Sequence, residues 1–152
     1  MQIAELKNLP DTADEKLKLA YNQFELLLAE LRTKQLPDVI VEVINQDVSD
    51  INSLNTPDEI RIAIKQKQKS ILKILEKQLK MVPKNYYRKL WFILGIAAFG
   101  LPLGVAIGTM LHNIGLLGTG FPFGMLIGFA VGASMDKKAF KEGKQLDFEV
   151  KY

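Results

Sequence analysis

Cysteine is absent from the 152 residues, and histidine occurs once, at His112. The first absence removes disulfide scaffolds, thiol redox chemistry and cysteine-ligated zinc or iron–sulfur sites; the second removes any His-pair metal site within one chain. Charge is missing as well, over one long stretch. From Leu90 to Met135 there are 46 consecutive residues without Asp, Glu, Lys or Arg. The core of a soluble domain does not need such a run, whereas the hydrocarbon of a bilayer does. A purely soluble globular protein is therefore not expected.

Elsewhere the charge is unevenly divided. Residues 1–60 carry 5 basic and 12 acidic side chains, a net of −7, while residues 61–89 carry 10 basic and one acidic, a net of +9. Although the pI is near 9.0, the basic stretch ends where the uncharged block begins. That placement suits lipid headgroups rather than nucleic acid, because each lysine near an anionic surface gains about 1 kcal/mol. Lys73, Lys77, Lys80, Lys84, Arg88 and Lys89, with Trp91 at the interface, are the expected headgroup contacts.

The first ninety residues read as three helices. Met1 to Pro10 gives no strong signal, and with Glu5 and Lys7 it lacks the apolar run of a signal peptide. Thr12 with Glu15 makes a capping box, followed at helical spacing by Leu17, Tyr21, Phe24, Leu28 and Leu31. Pro37 suits the first turn of a second helix, whose stripe is Ile40, Val41, Ile44, Val48 and Ile51, with Asp47 and Asp50 on the polar side. Residues 39–44 are also rich enough in β-branched side chains for a short strand, but the helical spacing persists and helix is preferred. Thr56, Pro57 and Glu59 mark a third helix, running to about Val82 and ended or kinked by Pro83. Such a bundle can be antiparallel, with its acidic helices against the basic one.

The uncharged block is too long for one span and right for two of about 20 residues. Spans over Leu90–Leu111 and Leu116–Met135 are expected, with His112-Asn113-Ile114-Gly115 as the turn. Lysine and arginine flank both outer ends and are missing from the turn, so the positive-inside rule puts both termini in the cytoplasm. Gly100, Gly104 and Gly108 are spaced by four, as are Gly120, Gly124, Gly128 and Gly132. Each row leaves a groove on one helix face into which another backbone fits. The spacing leaves open whether the rows pack one hairpin on itself or hairpins on one another. Gly-x-Pro-x-Gly-x-x-Ile-Gly occurs twice, from Gly100 and from Gly120. Pro102 should kink the first span. If residues 118–122 were not helical, the second would shrink to about 14 residues and only half-insert.

After the membrane the helix can extend from Asp136 to Glu142 and stop at Gly143. Leu146, Phe148, Val150 and Tyr152 then alternate with charged residues, a strand-like period. The tail would either add a strand to another chain or lie on the amino-terminal bundle, and the second is preferred. No triad, calcium loop or phosphate loop is present, so catalytic, cofactor and metal sites are all expected to be absent. His112 reads as a polar turn residue.

The run Val82-Pro83-Lys84-Asn85-Tyr86-Tyr87-Arg88, then Trp91, the two glycine–proline repeats and Met135-Asp136-Lys137-Lys138-Ala139 resemble small bacterial membrane-hairpin proteins of the glycine-zipper type. The resemblance covers about residues 80–145. It implies an inner-membrane hairpin and supplies no activity. The resulting expectation is an all-α chain in three segments: a cytoplasmic helical region at 1–89, a transmembrane hairpin at 90–135 and a cytoplasmic tail at 136–152. It would act as a homo-oligomerising anchor or adaptor on anionic lipid, able to engage a cytoplasmic protein partner. The competing reading is a ring of hairpins that permeabilises the membrane.

Overall fold

The computed structural model describes residues 2–9 and 13–150. These residues are almost entirely helical or irregular, and the only β-type pairing among them is an isolated parallel bridge between Val82 and Gln145. The chain forms two compact units: Met1–Met81 with Leu146–Tyr152, and Val82–Gln145. Of the expected tail at 136–152, residues 136–145 thus belong to the second unit and the segment from Leu146 onward to the first.

The first unit holds α1 (Glu15–Arg32), α2 (Asp38–Asn52) and α3 (Pro57–Ile74), which continues into a π-helical turn at Leu75–Leu79. Helices α1 and α2 each pack on α3. The expected capping residue Thr12 lies outside the described residues. The cap is Asp14, whose carboxylate accepts from Leu17 N at 2.7 Å, so Glu15 opens the helix instead of closing a box. Residues 39–44 are helical. Tertiary burial decides this against local β propensity, because only a helix aligns Ile40, Val41, Ile44, Val48 and Ile51 on one buried face. At the start of α3, Thr56 Oγ1 donates to Glu59 Oε2 at 2.6 Å. The two side chains of the expected box bond to each other and leave the backbone N–H groups aside.

Helix α3 stops short of the expected Val82. Lys80 turns left-handed at φ 57°, and Met81 N reaches back to Leu75 O at 3.1 Å. This releases the chain into the extended geometry that the residue before Pro83 requires. Asp47, placed on the polar side by its spacing, is in fact 8% exposed. Lys67 from α3 accounts for this, donating to Asp47 Oδ1 and Asp50 Oδ2 at 2.7 Å each.

The tail adds no strand. Leu146 and Phe148 are buried in the core of the first unit. Asp147 N donates to Glu30 Oε1 at 3.0 Å, and Gln23 Nε2 donates to Glu149 O at 3.2 Å. The period of two survives because an extended chain lying on a helical surface also buries alternate side chains. Tyr152 lies outside the described residues.

Candidate membrane hairpin

The second unit contains two helices long and apolar enough to cross a membrane, Tyr86–Met110 of 25 residues and Ile114–Lys141 of 28. Each would measure about 37 Å or more at 1.5 Å per residue, against a hydrocarbon core of about 30 Å. Only 17% of the most apolar window in each is buried. The core helix of a soluble protein would be covered on most sides, whereas here Phe92, Ile93, Phe99, Val105, Phe123 and Leu126 all face outward.

The first span comprises α4 (Tyr86–Gly95), a π-helical turn at Ile96–Gly100 and α5 (Leu101–Met110). Pro102 has no N–H for a carbonyl one turn earlier and its ring crowds that carbonyl, and the wider π turn just ahead of it provides room. The second span starts as a 3-10 helix at Ile114–Thr119 and continues as α6 (Gly120–Lys141). Residues 118–122 are therefore helical, and the half-inserted alternative is overturned. Pro122 sits in the first turn of α6, where a missing N–H costs little. Gly143 at φ 68° ends the helix, with Lys144 N donating to Ala139 O at 2.9 Å.

Between the spans the chain turns through Leu111, His112 and Asn113, a residue or two earlier than the sequence placed it. His112 takes a left-handed φ of 51°. Asn113 N donates to Gly108 O at 2.9 Å, and the Asn113 side chain accepts from Gly115 N at 3.0 Å. His112 is exposed, as a polar turn residue should be.

Both glycine rows face each other across this one hairpin. A methyl carbon built on Gly124 would lie 2.6 Å from Gly100 N and 2.7 Å from Gly100 Cα. One built on Gly128 would lie 2.9 Å from Trp91 C, and one on Gly132 would lie 2.6 Å from Arg88 Cα. At Gly104 it would run into the Leu117 carbonyl, and at Gly120 into the backbone of Gly100 and Gly104. Gly100 and Gly108 are slightly roomier, at 3.3 Å from the nearest backbone oxygen. In each case the obstacle is main chain, which cannot rotate away. Gly95, which stands outside both rows, belongs to the same contact, since its added carbon would meet Gly128 Cα at 2.7 Å.

Sequence reasoning gave Asp136 no role. It is 4% exposed, and its carboxylate accepts from Tyr87 N at 3.1 Å and Arg88 N at 3.0 Å. These are orphan donors in the first turn of α4, so Asp136 caps a helix to which it does not belong. The left-handed Asn85, which precedes α4, makes no side-chain cap. The one signal in the sequence was position: Asp136 is the first charge after the uncharged block.

The expected headgroup residues fall into two groups. Lys73, Lys77, Lys80, Lys84 and Lys89 are exposed. Arg88 and Trp91 are half-buried, and the Arg88 guanidinium carbon stands 5.1 Å from the centre of the Phe129 ring. Tyr86 and Tyr87 meet edge to face, with centroids 5.3 Å apart. No group of three or more His, Cys, Asp or Glu side chains among the described residues could hold a metal ion. No protein-family model, curated protein or solved structure matches this chain.

Proposed function

We propose that the chain is a membrane anchor that holds its helical bundle and tail at the cytoplasmic face of a bacterial inner membrane. The observation that carries this reading is the apolar exterior of the hairpin. The small residues face inward, one helix against the other, and the large apolar side chains face outward. That is the arrangement expected where lipid surrounds the pair and packing, rather than hydrophobic force, joins the helices. The segments before and after the hairpin belong to one bundle unit, which fits two crossings that start and finish on one side. The basic flanks select the cytoplasmic side, and the exposed lysines at 73, 77, 80, 84 and 89 supply contacts to anionic headgroups.

The anchor is favoured over a permeabilising ring by how the span hydroxyls are used. Thr109 Oγ1 donates to Val105 O at 2.9 Å and to Ala106 O at 3.0 Å, and Thr119 Oγ1 donates to Leu116 O at 2.6 Å. These two are satisfied within their own helices, and Ser134 is the one further hydroxyl between Leu90 and Met135, too little to make a polar stripe that lines a pore. Homo-oligomers of the anchor would use the outer apolar sides, because the glycine rows are covered within each hairpin.

The cysteine-free background permits a direct test. His112→Cys should react with a membrane-impermeant maleimide in intact spheroplasts, whereas Ser70→Cys should react only after the membrane is opened. Release of the protein by carbonate washing, or equal labelling of the two sites, would refute the proposal. Flux of a small dye from liposomes holding the purified chain would favour the permeabilising reading.

A further inference from the structure

The segment ahead of α1 is held in an unusual way. Asn45 and Asn52, seven residues apart on α2, each use both ends of the side-chain amide on the main chain of residues 2–7. Asn45 Oδ1 accepts from Ala4 N at 2.7 Å, and its Nδ2 donates to Gln2 O at 3.0 Å. Asn52 Oδ1 accepts from Lys7 N at 2.8 Å, and its Nδ2 donates to Glu5 O at 3.1 Å. Each amide therefore brackets one apolar residue, Ile3 or Leu6, and both of these are 8% exposed. From the other side, Arg32 of α1 donates to Ala4 O at 2.9 Å and to Ile3 O at 3.4 Å.

The two repeats are commensurate. Seven helical residues advance about 10.5 Å, and three extended residues advance about 9–10 Å. The same bracket can therefore recur three residues later on the bound segment and two turns later on the helix. Leu9 continues the period and packs against the same core. The amides read only backbone, so they accept any side chain at the bracketing positions. Specificity rests on apolar residues at every third position.

We infer that the α1–α2 groove is a receptor for an extended peptide of a protein partner, with apolar residues at intervals of three, and that residues 2–9 occupy it as a self-ligand. Two further features match a receptor. All four asparagine bonds are exposed to solvent, which makes local opening easy relative to unfolding of the helices. Open clefts also flank the seated segment. One, of about 470 Å³, is bordered by Ile3, Leu31, Arg32, Leu36 and Val41. The other, of about 230 Å³, is bordered by Leu6, Leu9, Tyr21, Ile51 and Ile60. Polar side chains also line them, Glu5, Lys34 and Gln35 in the first and Asn8 and Asn55 in the second, so they offer room beside Ile3 and Leu6 without being apolar pockets. This mode reads extended main chain and seats every third side chain, as other grooves that bind extended peptides take affinity from main-chain bonds and specificity from spaced anchors. It does not depend on the membrane reading.

The test uses the full chain in lipid nanodiscs and a fluorescein-labelled peptide with the sequence of residues 2–9. Ile3→Asp with Leu6→Asp should eject the resident segment while circular dichroism keeps its helical signal. The peptide should then bind saturably, at least ten-fold more tightly than to the unmodified chain, and adding Asn45→Leu and Asn52→Leu should abolish binding. Absence of binding to the well-folded ejected variant, or indifference to the asparagines, would overturn the proposal. Should ejection unfold the bundle, the unmodified chain with 15N label decides. Excess peptide should move the Ala4 and Lys7 amide signals to unstructured positions, and unmoved signals would make the segment a fixed part of the core. Exchange of the segment between differently labelled copies, in preference to uptake of added peptide, would make a second copy the occupant and refute the foreign-peptide reading.

Discussion

The Asp136 carboxylate lies 3.0 Å from the backbone nitrogen of Arg88, so the end of one apolar helix closes the beginning of the other. Four N–H groups at the start of α4 lack partners within their own helix. Asp136 takes two of them and also places a negative charge at the positive end of the helix dipole. Removing the carboxylate with Asp136→Ala should cost about 1–2 kcal/mol, the usual worth of a cap. Exchange of the Tyr87 and Arg88 amides should accelerate about ten-fold in hydrogen–deuterium exchange on nanodisc samples. Unchanged exchange would show that water serves those donors equally well.

The glycines should not be equivalent. Gly124→Ala drives a carbon into the backbone of Gly100 and should destabilise the hairpin by about 1–3 kcal/mol, the range for overpacking. Gly108→Ala meets its nearest oxygen at 3.3 Å and should cost less. Gly118 has nothing within 4 Å of the added carbon, so Gly118→Ala should be neutral. Midpoints of unfolding in mixed dodecyl sulfate micelles give the ranking. If Gly118→Ala proved as damaging as Gly124→Ala, the two glycine rows would not be the packing surface.

The ion cluster on α2 and α3 gives a pH signature. Hydrogen bonds from Lys67, then from Gln46, hold the Asp50 carboxyl below its ordinary 3.8. Hydrogen bonds to Asp47, then to Asp50, hold the Lys67 ammonium above its ordinary 10.5. A lowered acid contributes stability in full above its ordinary value and loses it as pH falls through the lowered one. A raised base contributes in full below its ordinary value and loses it as pH rises through the raised one. The contribution should therefore be flat near neutrality and fade in strong acid. Lys67→Met leaves the buried Asp47 without its cation and should cost about 1–3 kcal/mol at pH 7. The gap in melting temperature between Lys67→Met and the parent should narrow below about pH 4; a gap constant down to pH 2 would exclude this cluster as its source.

The tail should behave as core. Phe148 is 4% exposed within the first unit, so Phe148→Ala should destabilise that unit by about 3–5 kcal/mol. A Leu19→Ala control should change little, because that side chain is 69% exposed on α1 of the same unit. Thermal unfolding followed by circular dichroism measures both. An unchanged melt for Phe148→Ala would return the tail to a strand-donating role.

Much of the architecture follows from periodicity, which needs only neighbours in sequence. The stripe from Ile40 to Ile51, the helix start at Pro57, the stop at Gly143 and the two apolar spans are all of this kind. The sequence also determined that the two spans carry glycine rows able to pack closely, since spacing by four in a helix is a local fact. Tertiary structure alone decided which backbone those rows meet. Gly124 reaches Gly100 because the turn at His112 is short enough to bring the two rows into register. The same holds for Asp136 on Arg88, Lys67 on Asp47 and the asparagines on residues 2–7. Each joins a polar group to a partner at least 20 residues away. A single side chain's chemistry states what it can bond to, and only the folded chain brings a particular donor within 3 Å of it.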